Sequence, residues 1–375
     1  MDNEKLTRGR RKKILKVAKE NGFEALLVAN YDTFRYITGI QPLYSADFSI
    51  DAYAVVLSKT GDAVVSSYYL EEQPTWLARI IPPPIFVPAP LVASTWAEIY
   101  SDALKTLNIT RGVVGIDYLT FDVLVELQKK MPKVKFAQAS AHILKTRATK
   151  TDEEIELVKE AARVVDIGAT AGLDAIEVGI SENELAGRMI LAMAKEGVEG
   201  IPWLPTVRSG DRTLKGMFPT DRKFRKGDAV VFDTGCVATG GYVGDISRTG
   251  FVGKPSDEMK ELYVALYRAY MKAIKSVKPG VMASEIDRVC REALAAEACP
   301  VYERATGHGL GLRALELPWI TRHEEVGDKD MELEKGMILS IEPVTHRNGV
   351  CGVKLEDMIL VTDSGYDILT KTKFF

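Results

Sequence analysis

In the first 145 or so residues, segments with a helical spacing of apolar positions alternate with short apolar runs that are typical of strands. The predicted helices are Leu6–Asn21, Trp96–Leu107 and Phe121–Met131. The predicted strands are Ala25–Ala29, Ala52–Leu57, Asp62–Ser67 and Gly112–Asp117. Between two of these strands, Ser58-Lys59-Thr60-Gly61 has the composition of a hairpin loop. The pattern predicts a small α/β domain, residues 1–145, whose central sheet is covered by helices.

The pattern changes near residues 137–151, where a second domain, residues 146–375, is predicted to begin. Thr151 is followed by three acids, which is typical of a helix N-terminus, and a long amphipathic helix is expected from there towards Ile176. Ser181 and Glu184 have the spacing of a capping box at a second helix start. Further helices are predicted at Asp257–Val277 and Ala283–Ala298. Together with the strand patterns between these helices, the sequence predicts that the second domain consists of helices over a strongly curved antiparallel sheet, an α+β arrangement.

Four carboxylates and one imidazole interrupt the apolar runs of this second domain. They are Asp233, Asp245, His308, Glu342 and Glu356. Taken singly, each acid fits an ordinary surface position. Acids that end strand-like apolar runs are costly to bury without a partner, however, and a metal ion is the partner that serves them all. This set of oxygen and nitrogen ligands suits two divalent ions that share bridging carboxylates.

The spacing of the acids also predicts two hairpins. Asp233 and Asp245 are symmetric about Thr239, so a hairpin centred there would place them across from each other. Glu342 and Glu356 are symmetric about Gly349. A two-residue Asn-Gly turn would put this second pair on opposite faces, so a longer turn, or a bulge near Pro343 or Gly352, is expected.

These segments resemble the pita-bread metallohydrolase family, which includes methionine aminopeptidase, prolidase, aminopeptidase P and creatinase. The likeness covers residues 150–375. It lies in the ordered motifs Asp-Thr-Gly, Asp-Ile-Ser-Arg-Thr, Gly-His-Gly-Leu-Gly-Leu, Ser-Ile-Glu-Pro and Lys-Leu-Glu-Asp. The segment Tyr31–Gly39 resembles, more loosely, the creatinase/prolidase-type N-terminal domain. The resemblance implies a pita-bread fold behind a smaller N-terminal domain, an Xaa-Pro dipeptidase-like activity and a homodimer.

The resemblance also implies how the ligands are shared between two ions per subunit. Asp233 chelates one ion, Asp245 and Glu356 bridge both, and His308 with Glu342 hold the other. Oxygen-rich ligands with one imidazole suit Mn, Co, Zn or Fe, and ligand chemistry alone does not choose between these metals.

The chain departs from the family peptidases at two positions. Those enzymes supply two further histidines, and here the corresponding positions fall near Gly216 and at Leu315. Proton transfer is then left to Glu342, to Glu316 or to a relocated histidine at position 323 or 346, with His308 holding metal. Three interpretations stay open: an Xaa-Pro peptidase, a non-peptide C–N hydrolase or lyase like creatinase or ectoine hydrolase, and a catalytically silent metal-binding protein.

Residues next to the first metal-bearing strand are candidates for contact with substrate. Arg208 and Arg212 would favour a substrate that bears a carboxylate. Phe218 and Trp319 would supply an apolar wall for proline or another compact ring. Arg248 alternates away from Asp245 along its strand, so we expect it to brace the site by pairing with an acid.

Composition excludes several classes of partner. A net charge of −3 gives no field for nucleic acid or an anionic membrane. The N-terminus lacks the apolar stretch of a signal peptide, and no apolar run approaches the ~18 residues that span a bilayer. The four cysteines have no CxxC spacing and are expected to be reduced thiols, so we expect a cytoplasmic protein with a small-molecule or peptide substrate.

Overall fold

A computed structural model of the chain describes residues 3–41, 54–67, 77–81, 92–300 and 304–375. These residues cluster into two units, Met1–Arg147 and Ala148–Phe375. Ala52 and Tyr53, the first two residues of one predicted strand, lie outside the described ranges.

The first unit contains a mixed sheet flanked by helices. Its helices are α1 (Asn3–Glu20), α2 (Tyr31–Thr38), α3 (Ala93–Thr106), α4 (Phe121–Lys130) and α5 (Ser140–Ala148). Its strands are β1 (Ala25–Val28), β2 (Ala54–Ser58), β3 (Ala63–Ser66), β4 (Leu77–Ile81), β5 (Gly112–Ile116) and β6 (Val134–Gln138). The described strands pair in the order β4-β3-β2-β1-β5-β6, with β1 antiparallel to β2 and parallel to β5. This is the α/β arrangement that the sequence predicts.

The short helix α2 is absent from the sequence prediction, although its ends are marked. The side chain of Asn30 accepts a hydrogen bond from the backbone N–H of Asp32 and caps the start. Gly39 ends the helix with a φ of 71°, a conformation that favours glycine. Eight residues are too few to show a convincing helical period, which explains why the pattern of apolar positions missed it.

The second unit combines helices with antiparallel strands. Its helices are α6 (Asp152–Asp174), α7 (Glu182–Ala194), α8 (Asp257–Ser276), α9 (Ala283–Ala296) and α10 (His323–Val326), with 3₁₀ turns at Gly210–Leu214 and Gly327–Lys329. Its strands are β7 (Thr206–Ser209), β8 (Ala229–Val237), β9 (Val243–Phe251), β10 (Gly307–Gly309), β11 (Glu316–Ile320), β12 (Ile338–Ile341), β13 (Val344–Arg347), β14 (Cys351–Lys354), β15 (Asp357–Val361) and β16 (Tyr366–Ile368). The strand groups are β7-β8-β9, β11-β10-β12-β15-β16 and β13-β14, all antiparallel as described.

Both predicted helix caps of this unit are confirmed. Thr151 accepts the backbone N–H of Glu154, whose side chain accepts the backbone N–H of Thr151 in return. Ser181 and Glu184 make the same reciprocal pair at α7. Such caps satisfy backbone groups that a helix start leaves without partners, and each contributes about 1 kcal/mol.

Helices α8 and α9 pack against each other and share one hydrophobic core with strands β12, β14 and β15. Leu266 of α8 and Ile286 of α9 are fully buried there, as are Leu339 and Ile359 of the strands. A fully buried side chain of this size contributes about 1.5–3 kcal/mol through the hydrophobic effect. The core therefore fixes the strands from which Glu342 and Glu356 follow.

Among the residues described, none of the helices combines the length and the apolar character that a bilayer crossing requires. The four cysteines are buried and free.

Candidate metal centre

All five predicted ligands lie in or next to strands of the second unit. Asp233 lies in β8, Asp245 in β9 and His308 in β10, Glu342 follows β12, and Glu356 lies between β14 and β15. Strand pairing fixes the backbone at these positions, so it holds the five side chains beside one another.

The pairing of β8 with β9 differs from the prediction. Asp233 pairs with Ser247, and Asp245 pairs with Gly235, so the two acids are diagonal neighbours on one face instead of facing each other directly. The hairpin is centred on Gly240 and not on Thr239 as expected. Gly240 and Gly241 both have φ near +83°, and together they form the turn that sets this register.

The second hairpin keeps the predicted symmetry about Gly349. Ile341 pairs with Asp357 before Glu342, and Val344 pairs with Lys354 after it. Both pairs have the same register, so the register is continuous past Glu342 and Glu356. Asn348, Gly349 and Val350 form a three-residue turn between β13 and β14. The sequence predicts either a longer turn or a bulge near Pro343 or Gly352. The structure has the longer turn, and the described strand pairs show no bulge.

The ligand atoms fall into two groups whose members lie within 4.8 Å of one another. One group is Asp245, His308 and Glu356, and the other is Asp233, Glu342 and Glu356. Nε2 of His308 lies 3.9 Å from Oδ2 of Asp245, which belongs to the same group. It also lies 3.3 Å from Oε1 of Glu342, which belongs to the other group, so the two groups are adjacent. Nδ1 of His308 lies 3.0 Å from the carbonyl oxygen of Gly309. A hydrogen bond from Nδ1–H to that carbonyl leaves Nε2 as the nitrogen that faces the carboxylates.

Lys354 is a member of the site that the sequence interpretation missed. Its Nζ lies 2.5 Å from Oδ2 of Asp233, 2.7 Å from Oε2 of Glu342 and 3.1 Å from Oε2 of Glu356. The side chain is buried. Lys354 precedes Glu356 by two residues, and that spacing places two strand residues on one face, so a signal for it was present in the sequence.

The acids of the cluster have strongly perturbed pKa values. Burial raises the pKa of Asp245 well above its ordinary value, and the carboxylate of Glu356 raises it further. Burial also raises the pKa of Glu356 to about 7. Although burial alone would raise the pKa of Glu342, the charges of Lys354 and His308 hold it at about 2. Burial and mutual repulsion therefore favour the protonated forms of Asp245 and Glu356 in the metal-free chain.

The residues fit a divalent metal. Oε1 of Glu356 accepts a hydrogen bond from Ser340, and its buried Oε2 has the ammonium of Lys354 at 3.1 Å but no well-directed hydrogen bond within the described residues. Several carboxylates that share one ammonium are costly to bury, and a divalent cation would offset their charge. Carboxylates with one imidazole are the ligand set of Mn, Fe, Co or Zn.

Arg248 pairs with an acid and stabilises the backbone next to the proposed ligand Glu356, as predicted. Its guanidinium lies 2.7 Å from Oδ1 of Asp357 and donates to the backbone carbonyls of Glu356, Ser247 and Thr372. Tyr270 and Thr370 donate to the carboxylate of Asp357. The network fixes the backbone on both sides of Glu356, so it sets where that ligand points.

A cavity of about 230 Å³ opens beside the carboxylates, and Asp233, Glu342 and Lys354 form part of its wall. Arg208 lines it, as do two arginines that the sequence interpretation missed, Arg291 and Arg304. Arg291 reaches the wall from α9, and only the packing of that helix brings it there.

The predicted residues Arg212, Phe218, Trp319 and Glu316 do not line this cavity. Arg212 donates to the carboxylate of Glu182 and to the carbonyl of Phe218, and Phe218 is exposed. The ring of Trp319 lies 6.2 Å from that of His308. Glu316 is buried, with a carboxylate oxygen 3.6 Å from Nζ of Lys150.

The remaining predicted positions concern the histidines. His346 lines the cavity, whereas the side chain of His323 is exposed and lies 3.4 Å from Asp330. Leu315 is 56% exposed, and Gly216 has a φ of 82°. Neither of these two supplies a proton-transfer group, so within the described residues the imidazoles near the cluster are those of His308 and His346.

Two family models match the chain. Metallopeptidase family M24 matches residues 156–363, and the Creatinase/Prolidase N-terminal domain matches residues 10–149. The Xaa-Pro dipeptidase of Pyrococcus horikoshii is 29% identical over 366 residues, which is 96% of this chain and 97% of that protein. The Xaa-Pro dipeptidase of Pyrococcus furiosus is 29% identical over 97% of this chain and 98% of that protein.

Solved structures give the same result. The prolidase from Pyrococcus horikoshii OT3 superposes with a TM-score of 0.81 at 27% identity, covering 98% of this chain and 99% of that one. An Xaa-Pro dipeptidase from Bacillus anthracis superposes with a TM-score of 0.84 at 26% identity over the same shares of the two chains. The pita-bread architecture with a creatinase-type N-terminal domain is thereby confirmed.

Proposed function

The chain belongs to metallopeptidase family M24, and on that premise we propose that this hydrolase cleaves the peptide bond before proline in a short peptide, as an Xaa-Pro dipeptidase does. The observation that carries the proposal is the group of four carboxylates and one imidazole, of which Asp233 and Glu342 line a cavity of about 230 Å³. The similarity to Xaa-Pro dipeptidases over nearly the whole length of both chains supports this substrate class.

We propose Asp233, Asp245, His308, Glu342 and Glu356 as the metal ligands. Their atoms form two groups, which fit the two cation positions per subunit that the family resemblance implies, and the ligand chemistry suits Mn, Co, Zn or Fe. In hydrolases such metals lower the pKa of a bound water and polarise the carbonyl of the bond to be cleaved.

The arginines of the cavity support a substrate with a carboxylate. Arg208, Arg291 and Arg304 line it together, and a guanidinium pairs well with a carboxylate in a two-pronged hydrogen bond. Leu294, Pro343 and Val344 add apolar surface next to them. This combination suits the pyrrolidine ring and the C-terminal carboxylate of a dipeptide that ends in proline.

Glu342 is the best placed group for moving the proton. Its carboxylate lines the cavity and lies 3.3 Å from Nε2 of His308, so it is placed to accept a proton from the attacking water. The same carboxyl then delivers the proton to the leaving nitrogen of proline. Glu316 is less suited, because it is buried beside Lys150 and does not line the cavity.

A non-peptide C–N hydrolase is the second candidate, because Gly216 and Leu315 stand where the family peptidases have histidines. The similarity to Xaa-Pro dipeptidases over the full chain favours the peptidase.

We further propose that the protein is a cytoplasmic homodimer. The four free cysteines support a reducing compartment. The match of residues 10–149 to the Creatinase/Prolidase N-terminal domain supports the dimer, because N-terminal domains of this type commonly pack across a two-fold axis. Light scattering of the purified chain would give twice the monomer mass of 41.4 kDa, and a value near 41.4 kDa would refute the dimer.

The substrate class is tested by turnover of a panel by the Mn²⁺-loaded protein. The panel contains Ala-Pro, Ala-Ala, longer Xaa-Pro peptides, creatine and a cyclic amidine. We expect cleavage of Ala-Pro at least about tenfold faster than of Ala-Ala. Turnover of creatine or the amidine without cleavage of any Xaa-Pro peptide would move the protein to the second candidate function.

The role of the cavity arginines is tested by Arg208→Met. It should raise KM for Ala-Pro by about tenfold or more, because a hydrogen bond between charged groups is lost. KM for Ala-Pro-amide, which has no carboxylate, should change little. The control is Arg268→Met, at an exposed arginine of α8 that pairs with Glu297.

A further inference from the structure

One of the two ligand groups already holds a cation that belongs to the protein. Nζ of Lys354 contacts a carboxylate oxygen of Asp233, of Glu342 and of Glu356, at 2.5, 2.7 and 3.1 Å. These three residues are the complete second group of ligand atoms. An ammonium donates up to three hydrogen bonds, which matches the number of carboxylates around it.

The position of Lys354 is fixed by its backbone. The N–H of Lys354 donates to the hydroxyl of Thr249, and that hydroxyl donates to the carbonyl of the same lysine. Lys354 also pairs with Val344 as the last residue of β14. The side chain is 6% exposed and therefore has little space to leave the carboxylates.

The other group has a different character. In it, Oδ2 of Asp245 lies 3.9 Å from Nε2 of His308, and Glu342 approaches the same nitrogen at 3.3 Å through its second oxygen, Oε1. Glu342 thus directs one oxygen to each group, Oε1 to the imidazole and Oε2 to the ammonium. The asymmetry makes the two positions chemically unequal, one with an imidazole nitrogen and one with an ammonium.

We propose that the ammonium of Lys354 serves as the second cation of this centre, so that the chain binds one divalent metal ion where its carboxylates alone would fit two. The single ion binds at Asp245, His308, Glu342 and Glu356, and of the five proposed ligands only Asp233 is left to pair with the lysine. A second ion would need the carboxylates of the same three residues that Lys354 contacts, so its binding competes with the lysine. The inference rests on the proposed metal centre and concerns how many ions it holds.

The experiment counts metal ions and does not depend on activity. Metal-depleted wild-type protein is titrated with Mn²⁺ in a calorimeter, and the loaded protein is examined by electron paramagnetic resonance. We expect one tightly bound ion per chain and the six-line spectrum of an isolated Mn²⁺. Lys354→Met keeps the length of the side chain and removes its charge. Because a like charge no longer faces the second ion, this variant should bind two ions, the second at least about tenfold more tightly than in wild type, with the spectrum of a coupled pair.

Two variants control for the change of charge. Lys335→Met removes an exposed lysine that pairs with Asp363, and it should still bind one ion. Lys354→Arg keeps a positive charge in the group and should also bind one. Circular dichroism and thermal melting show whether each variant is folded.

The outcomes separate this inference from the proposed function. Two tightly bound ions with a coupled spectrum in wild type would overturn the role of Lys354 and leave the metal centre standing. No bound ion in wild type would refute the metal centre itself. A folded Lys354→Met that still binds one ion would also overturn the inference. If that variant does not fold, the number of ions in wild type decides alone.

Discussion

The buried pair of Arg248 and Asp357 offers a quantitative test of how the centre is held in place, through the substitution Arg248→Met. The guanidinium is 1% exposed and lies 2.7 Å from Asp357, and it donates to the carbonyl of Glu356 at 2.6 Å. Methionine fills much of the same volume but leaves the carboxylate of Asp357 buried without its counter-charge. Removing one partner of a buried pair typically costs about 3–5 kcal/mol.

That cost converts to a measurable fall in melting temperature. In a domain of about 150–250 residues, 1 kcal/mol corresponds to about 2–4 °C, so Arg248→Met should lower the melting temperature of the second unit by about 6–20 °C. Because the backbone at Glu356 loses its support, metal affinity should also fall by about 10–100-fold. Differential scanning calorimetry and Mn²⁺ titration measure the two effects.

Two further variants make the result interpretable. Arg268→Met removes an exposed arginine, whose pair with Glu297 is solvated, and should change the melting temperature by less than about 2 °C. The double variant Arg248→Met/Asp357→Asn should lose less stability than the sum of the single losses, because both ends of one pair are removed. A drop of less than about 3 °C for Arg248→Met, with unchanged metal affinity, would refute the idea that this pair holds Glu356 in place.

Three other predictions follow from the same site. Glu342→Gln keeps the shape and removes the base, so kcat for Ala-Pro should fall by at least about a hundredfold, and near-normal turnover would exclude its role in proton transfer. Leu315→His should raise cleavage of Xaa-Pro dipeptides by ~10²–10⁴-fold if the chain is a peptidase weakened by a missing imidazole, whereas vigorous wild-type cleavage without a gain would mean that another group supplies the proton. In the metal-free chain the pKa of Glu356 is raised to about 7. The protonated carboxyl therefore stabilises the folded chain fully when the pH is below the ordinary pKa of a glutamate. This stabilisation is lost as the pH rises through 7. Because a protonated carboxyl must lose its proton to bind metal, the rise in melting temperature on adding Mn²⁺ should be larger at pH 8 than at pH 5.5, and an equal rise at both would contradict this ligand assignment.

Much of the fold could be predicted from the sequence because the local signals agree with one another. Thr151 and Ser181 start helices with complete capping boxes, which need only four residues to recognise. The second hairpin, centred on Gly349, has the register that the symmetric spacing of Glu342 and Glu356 predicts. In each case the information lies within a short stretch of chain.

The remainder depends on contacts between distant segments. The register of β8 with β9 follows from the two glycines of the turn. The predicted pairing and the observed pairing differ by two residues, and both put the same side chains on the same face. The pattern of apolar positions therefore could not distinguish between these two registers. Arg291 reaches the cavity through the packing of α9. The two-residue spacing of Lys354 and Glu356 predicts a shared face, but the other two carboxylates around the lysine come from distant segments of the chain.

The central claim, that these carboxylates and His308 form the metal centre of an Xaa-Pro hydrolase, is tested most directly by following hydrolysis and metal uptake together. Metal-depleted protein is titrated with Mn²⁺ while Ala-Pro cleavage is measured, for wild type and for Asp245→Asn. We expect cleavage to rise in proportion to bound metal and to saturate with it in wild type, and we expect Asp245→Asn neither to bind metal tightly nor to cleave the dipeptide. Cleavage of Ala-Pro by the metal-free protein, or full metal binding by wild type without any cleavage of an Xaa-Pro peptide, would contradict the account.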